Sequence, residues 1–198
     1  DTFFKNSDDA IQAVNSAYQP LMINNANNNF YWVFGTIASE EAIVGGDGSR
    51  PGIVDIDMFQ HSAATQELND FWKLNYAGIV QANTVVFKTP LIEADETLKN
   101  RIIGEALFLR AWYHFVLSQV FGDVPLITEI LAPDEVFVAR APKTQVWMQV
   151  VADAELAASL LPLSYGGSDL GRATKGAALA LAAKAHLYLE DYQSVVNR

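Results

Sequence analysis

The sequence predicts an all-α protein of stacked helical hairpins, similar to tetratricopeptide repeats, with a long loop insertion after the first helix. Three observations support this fold class. Four long segments have apolar residues at the three- and four-residue spacing of amphipathic helices. Two of these segments repeat the other two when the chain is shifted by 74 or 75 residues. A stretch rich in asparagine and glycine separates them from a shorter helical segment near the first residue.

A short amphipathic helix is predicted from about residue 9 to residue 22. Ser7 and Asp8 can cap its first turn. Its apolar residues form one stripe at helical spacing: Ile11, Val14, Ala17, Tyr18 and Leu21. The pattern breaks over residues 23–65, where asparagine and glycine favour loops, and a short extended piece is expected at residues 53–57. Loops of this length in compact domains are usually functional.

The first predicted hairpin covers residues 67–121. Its helices run from about residue 67 to 87 and from about residue 96 to 121. The second of these helices carries too few polar side chains to cover a solvent-facing half, so we expect it to be the central, buried element. Gly122 is expected to end it in a left-handed conformation, and Pro125 prevents its continuation.

The second predicted hairpin covers residues 143–190, with helices from about 143 to 161 and from about 174 to 190. The repeat aligns four pairs of positions: Trp72 with Trp147, Leu107 with Leu181, Arg110 with Lys184, and Ala111 with Ala185. The period is close to twice the ~34 residues of a tetratricopeptide unit. We expect residues 1–198 to form a single domain. A further amphipathic segment begins at residue 192, which favours a chain that is part of a longer protein.

Composition excludes several classes of function. With 51% apolar and 18% charged residues, the chain is not intrinsically disordered. Its net charge of −10 would repel a phosphate backbone, so nucleic acid is not an expected partner. The chain has no cysteine, which excludes disulfides, thiolate zinc sites and a cysteine nucleophile. Its three histidines share no metal-ligand spacing, and we predict neither a cofactor nor a metal.

The most specific pattern lies in the second helix of the first hairpin. The run Gly-Glu-Ala-Leu-Phe-Leu-Arg-Ala-Trp-Tyr-His-Phe at residues 104–115, followed by Phe-Gly-Asp-Val-Pro-Leu at residues 121–126, resembles the signature of the SusD/RagB family. Three further stretches resemble the same family: residues 13–18, 71–83 and 172–192. Where many members have Ser-Asp-Glu before a glycine-rich loop, this chain has Ser-Glu-Glu at residues 39–41, followed by Gly45-Gly46.

The resemblance implies a lipid-anchored protein on the outer face of a Gram-negative outer membrane. Such a protein captures a nutrient, usually an oligosaccharide, and passes it to a SusC-like TonB-dependent transporter without catalysis. The cysteine that would carry the lipid is absent from this sequence, so the anchor rests on the resemblance alone. Members of the family are typically more than twice as long, and the chain resembles their N-terminal, tetratricopeptide-containing part.

The loop-rich stretch supplies the candidate ligand-binding residues. Sugar capture needs flat aromatic faces against the C–H faces of pyranose rings, and donors and acceptors for the hydroxyl groups. The side chains suited to these roles are Tyr31, Trp32, Asp47, Arg50, Asp57, Gln60 and His61. In an extended segment Asp55 and Asp57 would share a face, but the Asp-X-Asp-X-Asp-Gly pattern of a calcium loop is missing, so a solvated edge is expected.

The four tryptophans are expected to lie in the core. For Trp32 we favour burial over ligand stacking by roughly two to one, because residues 30–34 are apolar enough to fill a helix bundle. Trp72, Trp112 and Trp147 lie at helical core spacing.

Charged residues on the buried helix are expected to be structural. Glu105 and Arg110 are best explained by ion pairs or by capping of neighbouring loops, and Arg101 can pair with Glu105 along the helix. His114 and His186 are predicted to be partly buried and hydrogen-bonded.

The sequence also bears on two other classes of function. A helical-repeat scaffold that binds a peptide or a partner protein in its groove also agrees with the hairpin repeat. A glycoside hydrolase is disfavoured, because no pair of acidic residues stands at a recognisable site.

Overall fold

The computed structural model describes residues 4–23, 27 and 29–196. Seven α-helices are formed within these residues: α1 (Ser7–Tyr18), α2 (Pro51–Asp57), α3 (Gln66–Lys88), α4 (Glu96–Phe121), α5 (Lys143–Leu160), α6 (Lys175–Tyr188) and α7 (Tyr192–Val196). The remaining elements are short: a π-helix (Tyr31–Ile37), three 3₁₀ turns (Gln19–Leu21, Thr89–Leu91 and Gly167–Asp169) and two antiparallel strands, β1 (Val124–Pro125) and β2 (Arg140–Ala141).

The chain divides into two compact units, and the boundary falls within α3. One unit comprises Asp1–Ala17 and Gly78–Arg198 and is called here the hairpin unit. The other comprises Tyr18–Ala77 and is called the loop unit.

The hairpin unit is organised around α4. Large side chains of this helix, including Leu109, Tyr113 and Phe115, are fully buried. Helix α4 packs on α5, α5 on α6, and α6 on α7. Gly122 ends α4 with a φ of 73°. These features confirm the predicted all-α fold class of helical hairpins with α4 as the buried element.

Glycines allow close contacts in the hairpin unit. A Cβ atom at Gly78 would overlap the ring of Tyr113, whose hydroxyl donates a hydrogen bond of 2.6 Å to the carbonyl oxygen of Ala17. A Cβ atom at Gly104 would lie 3.0 Å from the Cβ of Leu160. The absence of a side chain at these two positions therefore sets how closely the neighbouring groups approach.

The buried charges of α4 form structural pairs, as predicted. Arg110 donates two hydrogen bonds to the carboxylate of Asp153, from Nε at 2.7 Å and from Nη2 at 2.6 Å. It also donates from Nη1 to the side chain of Asn83 and to the carbonyl oxygen of Thr128. Glu105 is fully buried, and its Oε2 accepts a hydrogen bond of 3.0 Å from Arg172.

The predicted pair of Arg101 and Glu105 is also present, with 3.6 Å between Nε and Oε1. His114 is fully buried: its Nδ1 lies 3.1 Å from the carbonyl oxygen of Arg110, and its Nε2 accepts from the backbone N–H of Ile127. Burial, with the charge of Arg110, lowers the pKa of His114 to about 3. His186 is buried as well and pairs at 3.1 Å with Asp191.

The loop unit contains more helix than the sequence pattern predicts. The expectation of an extended piece at residues 53–57 is wrong, because these residues lie within α2. Pro51 starts this helix with a preset φ. Ile53 and Ile56, three residues apart, then bury one face of the helix against Val33 and Ile37 of the π-helix.

Part of the asparagine-rich run lies outside the described residues, namely residues 24–26 and 28. Asn27 is buried and donates a hydrogen bond of 2.9 Å to the side chain of Asn75, which in turn donates to the carbonyl oxygen of Phe71. These two amides therefore stabilise the interior of the loop unit. Across the described part of the chain, no helix combines the length and the apolarity needed to span a bilayer.

Candidate functional site

Two concave regions lie on the loop unit. The first is a pocket of 240 Å³ between the π-helix, the glycine-rich loop and α2, called here the Trp32 pocket. Its lining comprises Trp32, Val44, Gly45, Gly46, Asp47, Gly48, Ser49, Arg50, Ile53 and Val54. The second is an open cleft of 640 Å³, called here the Tyr31 cleft. Its lining comprises Tyr31, Gly35, Thr36, Ser39, Glu40 and Glu41.

The π-helix presents two consecutive aromatic side chains outward. Tyr31 is 56% exposed and Trp32 is 46% exposed, so the expectation that Trp32 is buried is wrong. The inward positions of this helix are Val33 and Ile37, which lie four residues apart on one side and pack on α2. Because those two residues anchor the helix, the preceding aromatic pair is turned away from the core. Helices of the π type are rare and occur frequently at functional sites.

The predictions for the other tryptophans are met to different degrees. Trp147 is buried and donates a hydrogen bond of 2.8 Å from Nε1 to the hydroxyl of Ser118. Trp72 and Trp112 are half-buried. Trp32 therefore differs from Trp147, whose ring and N–H are both used inside the protein.

Arg50 lies between an aromatic ring and a carboxylate. Its Cζ atom is 6.0 Å from the centre of the Trp32 ring, at the outer limit of a cation–π contact. Its Nε atom is 3.6 Å from Oε1 of Glu67 in the first turn of α3. The Glu67 side chain is 8% exposed, whereas the Arg50 side chain is 35% exposed. The guanidinium is thus held from one side and open to solvent on another.

The glycine-rich loop carries a charged acceptor. Asp47 accepts a hydrogen bond of 2.9 Å from the backbone N–H of Ser49, and the side chain and backbone of Ser49 lower the pKa of Asp47 below its ordinary value. Gly46 and Gly48 flank it with φ values of 93° and 73°, a region that favours glycine. The loop therefore displays an ionised carboxylate at the rim of the Trp32 pocket.

Asp57 is used to fasten the loop. Its Oδ2 accepts a hydrogen bond of 3.0 Å from the backbone N–H of Val44, which ties the glycine-rich segment to the end of α2. Gln60 and His61 are exposed beyond that helix. Asp57, Gln60 and His61, although predicted as site residues, line neither the Trp32 pocket nor the Tyr31 cleft.

The structure thus brings Trp32, Asp47 and Arg50 together around one pocket and places Tyr31 in the neighbouring cleft. Sequence reasoning did not select Glu40 and Glu41 as ligand-binding residues, although the Ser-Glu-Glu motif before the glycine-rich loop marked their position. It also missed Glu67, because a glutamate in the first turn of a helix does not by itself indicate a role in binding.

This arrangement suits the binding of a polyhydroxylated molecule. An exposed indole face can stack on the apolar face of a sugar ring, while a carboxylate and a guanidinium can bond its hydroxyl groups. Backbone groups of the glycine-rich loop add donors and acceptors that no Cβ atom shields. Among the residues described by the structure, no group of three or more histidine, cysteine, aspartate or glutamate side chains could hold a metal ion.

Comparison with known proteins identifies the family. The sequence pattern of a SusD-like family, described as "starch-binding associating with outer membrane", matches residues 53–189. The chain belongs to the SusD-like family. This assignment confirms the resemblance seen in the sequence.

Curated and structural relatives agree with the SusD-like assignment. The SusD-like proteins P2 and P25 of Formosa agariphila are 26% and 27% identical over 100% of this chain. Among solved structures, a "laminarin binding SusD-like protein" matches with a TM-score of 0.88 and 30% identity, over 96% of this chain and 42% of its own. A SusD superfamily protein of Bacteroides thetaiotaomicron matches with a TM-score of 0.84 and 26% identity, over 97% of this chain and 44% of its own.

The SusD-like chain described here is short compared with these relatives. It spans 40% of the length of P2 and 39% of the length of P25.

Proposed function

We propose that this SusD-like chain is the N-terminal part of a cell-surface protein that binds an oligosaccharide and passes it to a SusC-like TonB-dependent transporter. The observation that carries the proposal is the exposed face of Trp32 over a pocket that also holds Asp47 and Arg50. Tyr31 and Trp32 are consecutive and each is about half exposed, so they form an aromatic patch, and exposed apolar patches mark interaction sites more often than single side chains do. One structural relative, itself named as laminarin-binding, supports a glucan as the first ligand to test.

The residues proposed to contribute to ligand binding are Tyr31, Trp32, Asp47, Arg50, Asp57, Gln60 and His61. Trp32 and Tyr31 supply aromatic faces, and Asp47 and Arg50 supply an acceptor and donors beside the first of them. Gln60 and His61 would reach a longer ligand that extends past the end of α2. Asp57 acts mainly through the loop that it fastens.

Binding without catalysis is part of the proposal. The buried acid–base pairs of the hairpin unit, Arg110 with Asp153 and Arg172 with Glu105, are engaged with each other inside the protein. The charges of such pairs compensate each other, and the carboxylates, which are enclosed by the fold, are poorly placed to exchange protons with a ligand.

A protein partner is supported by apolar side chains on the hairpin unit. Phe137 is 97% exposed and Leu91 is 77% exposed. Large apolar groups at the surface can be covered by a partner protein, which agrees with the proposed transporter contact. The SusC-like partner, the outer-membrane location and the lipid anchor are proposed on the strength of the family likeness.

Affinity electrophoresis and calorimetry with laminarin, an uncharged glucose polymer, test whether the protein binds a glycan as proposed. The change Trp32→Ala should weaken binding roughly tenfold or more, because the stacking surface is lost. The matched control is Phe137→Ala, which removes an exposed aromatic ring from the other unit and should leave binding unchanged.

If the Trp32→Ala variant is retarded in the laminarin-containing gel as strongly as the wild type, Trp32 is not the surface on which the sugar stacks. If the protein binds none of a panel of neutral and acidic glycans, glycan binding itself is rejected. Capture of a partner protein in that case would favour the helical-repeat scaffold instead.

A further inference from the structure

A buried carboxylate stands behind the Trp32 pocket. Glu67 is only 7% exposed, and its Oε1 lies 3.6 Å from Nε of Arg50. Its Oε2 is fully enclosed and has no hydrogen-bond partner among the described residues. Enclosing a carboxylate is costly unless a cation compensates it. Arg50 is the cation that the structure pairs with it.

The backbone leaves room for this carboxylate. A Cβ atom at Gly52, in the first turn of α2, would overlap Oε2 of Glu67 and would lie 2.8 Å from its Cδ. Any side chain at position 52 would therefore displace the carboxylate from Arg50. A glycine at this position keeps Glu67 within reach of the guanidinium, and the guanidinium in turn faces Trp32.

From this geometry we infer that Glu67 is a positioning residue: it holds Arg50 beside Trp32 and balances its charge, so that the pocket selects uncharged glycans over anionic ones. The inference rests on the proposed glycan-binding function. An unbalanced guanidinium next to an aromatic face would suit the carboxylate or sulfate groups of acidic polysaccharides, since arginine binds planar anions with paired donors. Because Glu67 balances the charge of Arg50, the guanidinium gains less from binding an anionic group.

The surrounding charges act in the same direction. Asp47 brings a carboxylate to the rim of the pocket. Glu40 and Glu41 line the neighbouring cleft. The loop unit, residues 18–77, contains seven acidic and two basic side chains, a formal charge of −5. An anionic polymer would approach against this potential, whereas a neutral one would not.

The test compares two polymers with one backbone, laminarin and carboxymethylated laminarin, by calorimetry on the purified protein. The wild-type protein should bind laminarin more tightly. The change Glu67→Gln should shift the affinity ratio toward the carboxymethylated polymer by roughly two- to five-fold, because the guanidinium it leaves unbalanced, that of Arg50, is partly exposed and screened by solvent. The control Asp70→Asn removes the same charge from the same helix, three residues further on, and should leave the ratio unchanged.

A second variant guards against misfolding of Glu67→Gln. The change Arg50→Gln removes the cation and leaves Glu67 in place, so it should shift the ratio the opposite way, toward laminarin. The side-chain Nε–H resonance of Arg50 gives a readout without any ligand. It should broaden or move in Glu67→Gln and stay unchanged in Asp70→Asn.

An unchanged ratio in Glu67→Gln, with laminarin binding intact, would overturn the inference. An equal shift in Asp70→Asn would overturn it as well, because only the total charge would then matter. Failure of the proposed function looks different, since the wild-type protein would bind neither polymer. The selectivity inference would fall with it, and the Arg50 resonance would still decide whether Glu67 positions the guanidinium.

Discussion

The hairpin unit and the loop unit each contain an arginine paired with an acidic residue, and the two pairs differ in burial and in the distance between the charged groups. In the hairpin unit, Arg110 and Asp153 are almost fully buried and share two hydrogen bonds of 2.6 and 2.7 Å. In the loop unit, Arg50 and Glu67 are 3.6 Å apart, and the arginine is 35% exposed. The first pair is committed to the interior, and the second keeps an open side toward a pocket.

The tryptophans differ in the same way. Trp147 of the hairpin unit is buried and uses its N–H on Ser118, whereas Trp32 of the loop unit shows almost half of its surface. These residues of the hairpin unit are enclosed and bonded to each other, whereas their counterparts in the loop unit are partly exposed beside a pocket. Mutations should therefore affect stability most in the hairpin unit and binding most in the loop unit.

The largest effect is expected from breaking the buried pair. The change Asp153→Asn leaves the charge of Arg110 enclosed without a counter-charge, which should lower the free energy of unfolding by about 3–5 kcal/mol. Denaturant unfolding followed by circular dichroism measures it. The control Glu96→Gln breaks an exposed pair with Lys99 and should cost less than about 1 kcal/mol. A loss below about 1 kcal/mol in Asp153→Asn would contradict the comparison.

The next effect concerns close packing. The change Gly78→Ala forces a methyl group against the buried ring of Tyr113, and the clash should cost about 2 kcal/mol despite the helix propensity of alanine. The matched control is Gly35→Ala in the loop unit, where the added Cβ would meet no atom within 4 Å apart from its chain neighbours and the backbone of its own helix. Thermal unfolding of both variants checks this. Equal melting temperatures would show that the hairpin unit can relax around the methyl group.

A pH effect should also originate in the hairpin unit. His114 has a pKa of about 3 in the folded protein, against about 6.5 when unfolded. Between these values the unfolded state binds the additional proton, so acidification should lower stability by about 1.4 kcal/mol per pH unit, starting near pH 6.5. Above that pH the contribution of His114 is constant.

The change His114→Gln removes this titration. The variant should be less stable than the wild type at pH 7, and its stability should depend less steeply on pH between about 4 and 6. Urea unfolding at a series of pH values measures both slopes. A variant with the slope of the wild type would show that other groups cause the acid sensitivity.

The smallest effect is expected in the loop unit. The change Asp57→Ala removes the acceptor for the N–H of Val44 and should cost at most about 1 kcal/mol, because the bond is partly exposed. Amide exchange at Val44 should become faster, and laminarin affinity should fall less than in Trp32→Ala. If Asp57→Ala abolishes binding while exchange at Val44 is unchanged, Asp57 contacts the ligand directly.

The long helices could be predicted from local pattern because the apolar positions of each one repeat with the helical period. In α4 this pattern, together with the scarcity of polar residues, was enough to predict its burial. The partner of Arg110 was not predictable. Asp153 lies 43 residues away, and only the packing of α5 on α4 brings the two side chains together.

The loop unit resisted prediction for a different reason. Its elements are short, so seven residues of π-helix and seven of α2 carry too few repeats for a period to stand out among glycines and asparagines. Helix α2 is stabilised by the contact of Ile53 and Ile56 with the π-helix. The outward direction of Trp32 is a consequence of the same contact, which is why its apolar neighbourhood in the sequence was misleading.

The amino-acid sequence alone determined the all-α class, the long helices, the buried central helix and the family, because these depend on residues that are close together in the chain or that follow a fixed order. Tertiary structure decided which of the candidate residues share a pocket and that a buried Glu67 stands behind Arg50. Those relations depend on segments that meet only after folding, and the free energy that brings them together comes from apolar contacts elsewhere in the loop unit.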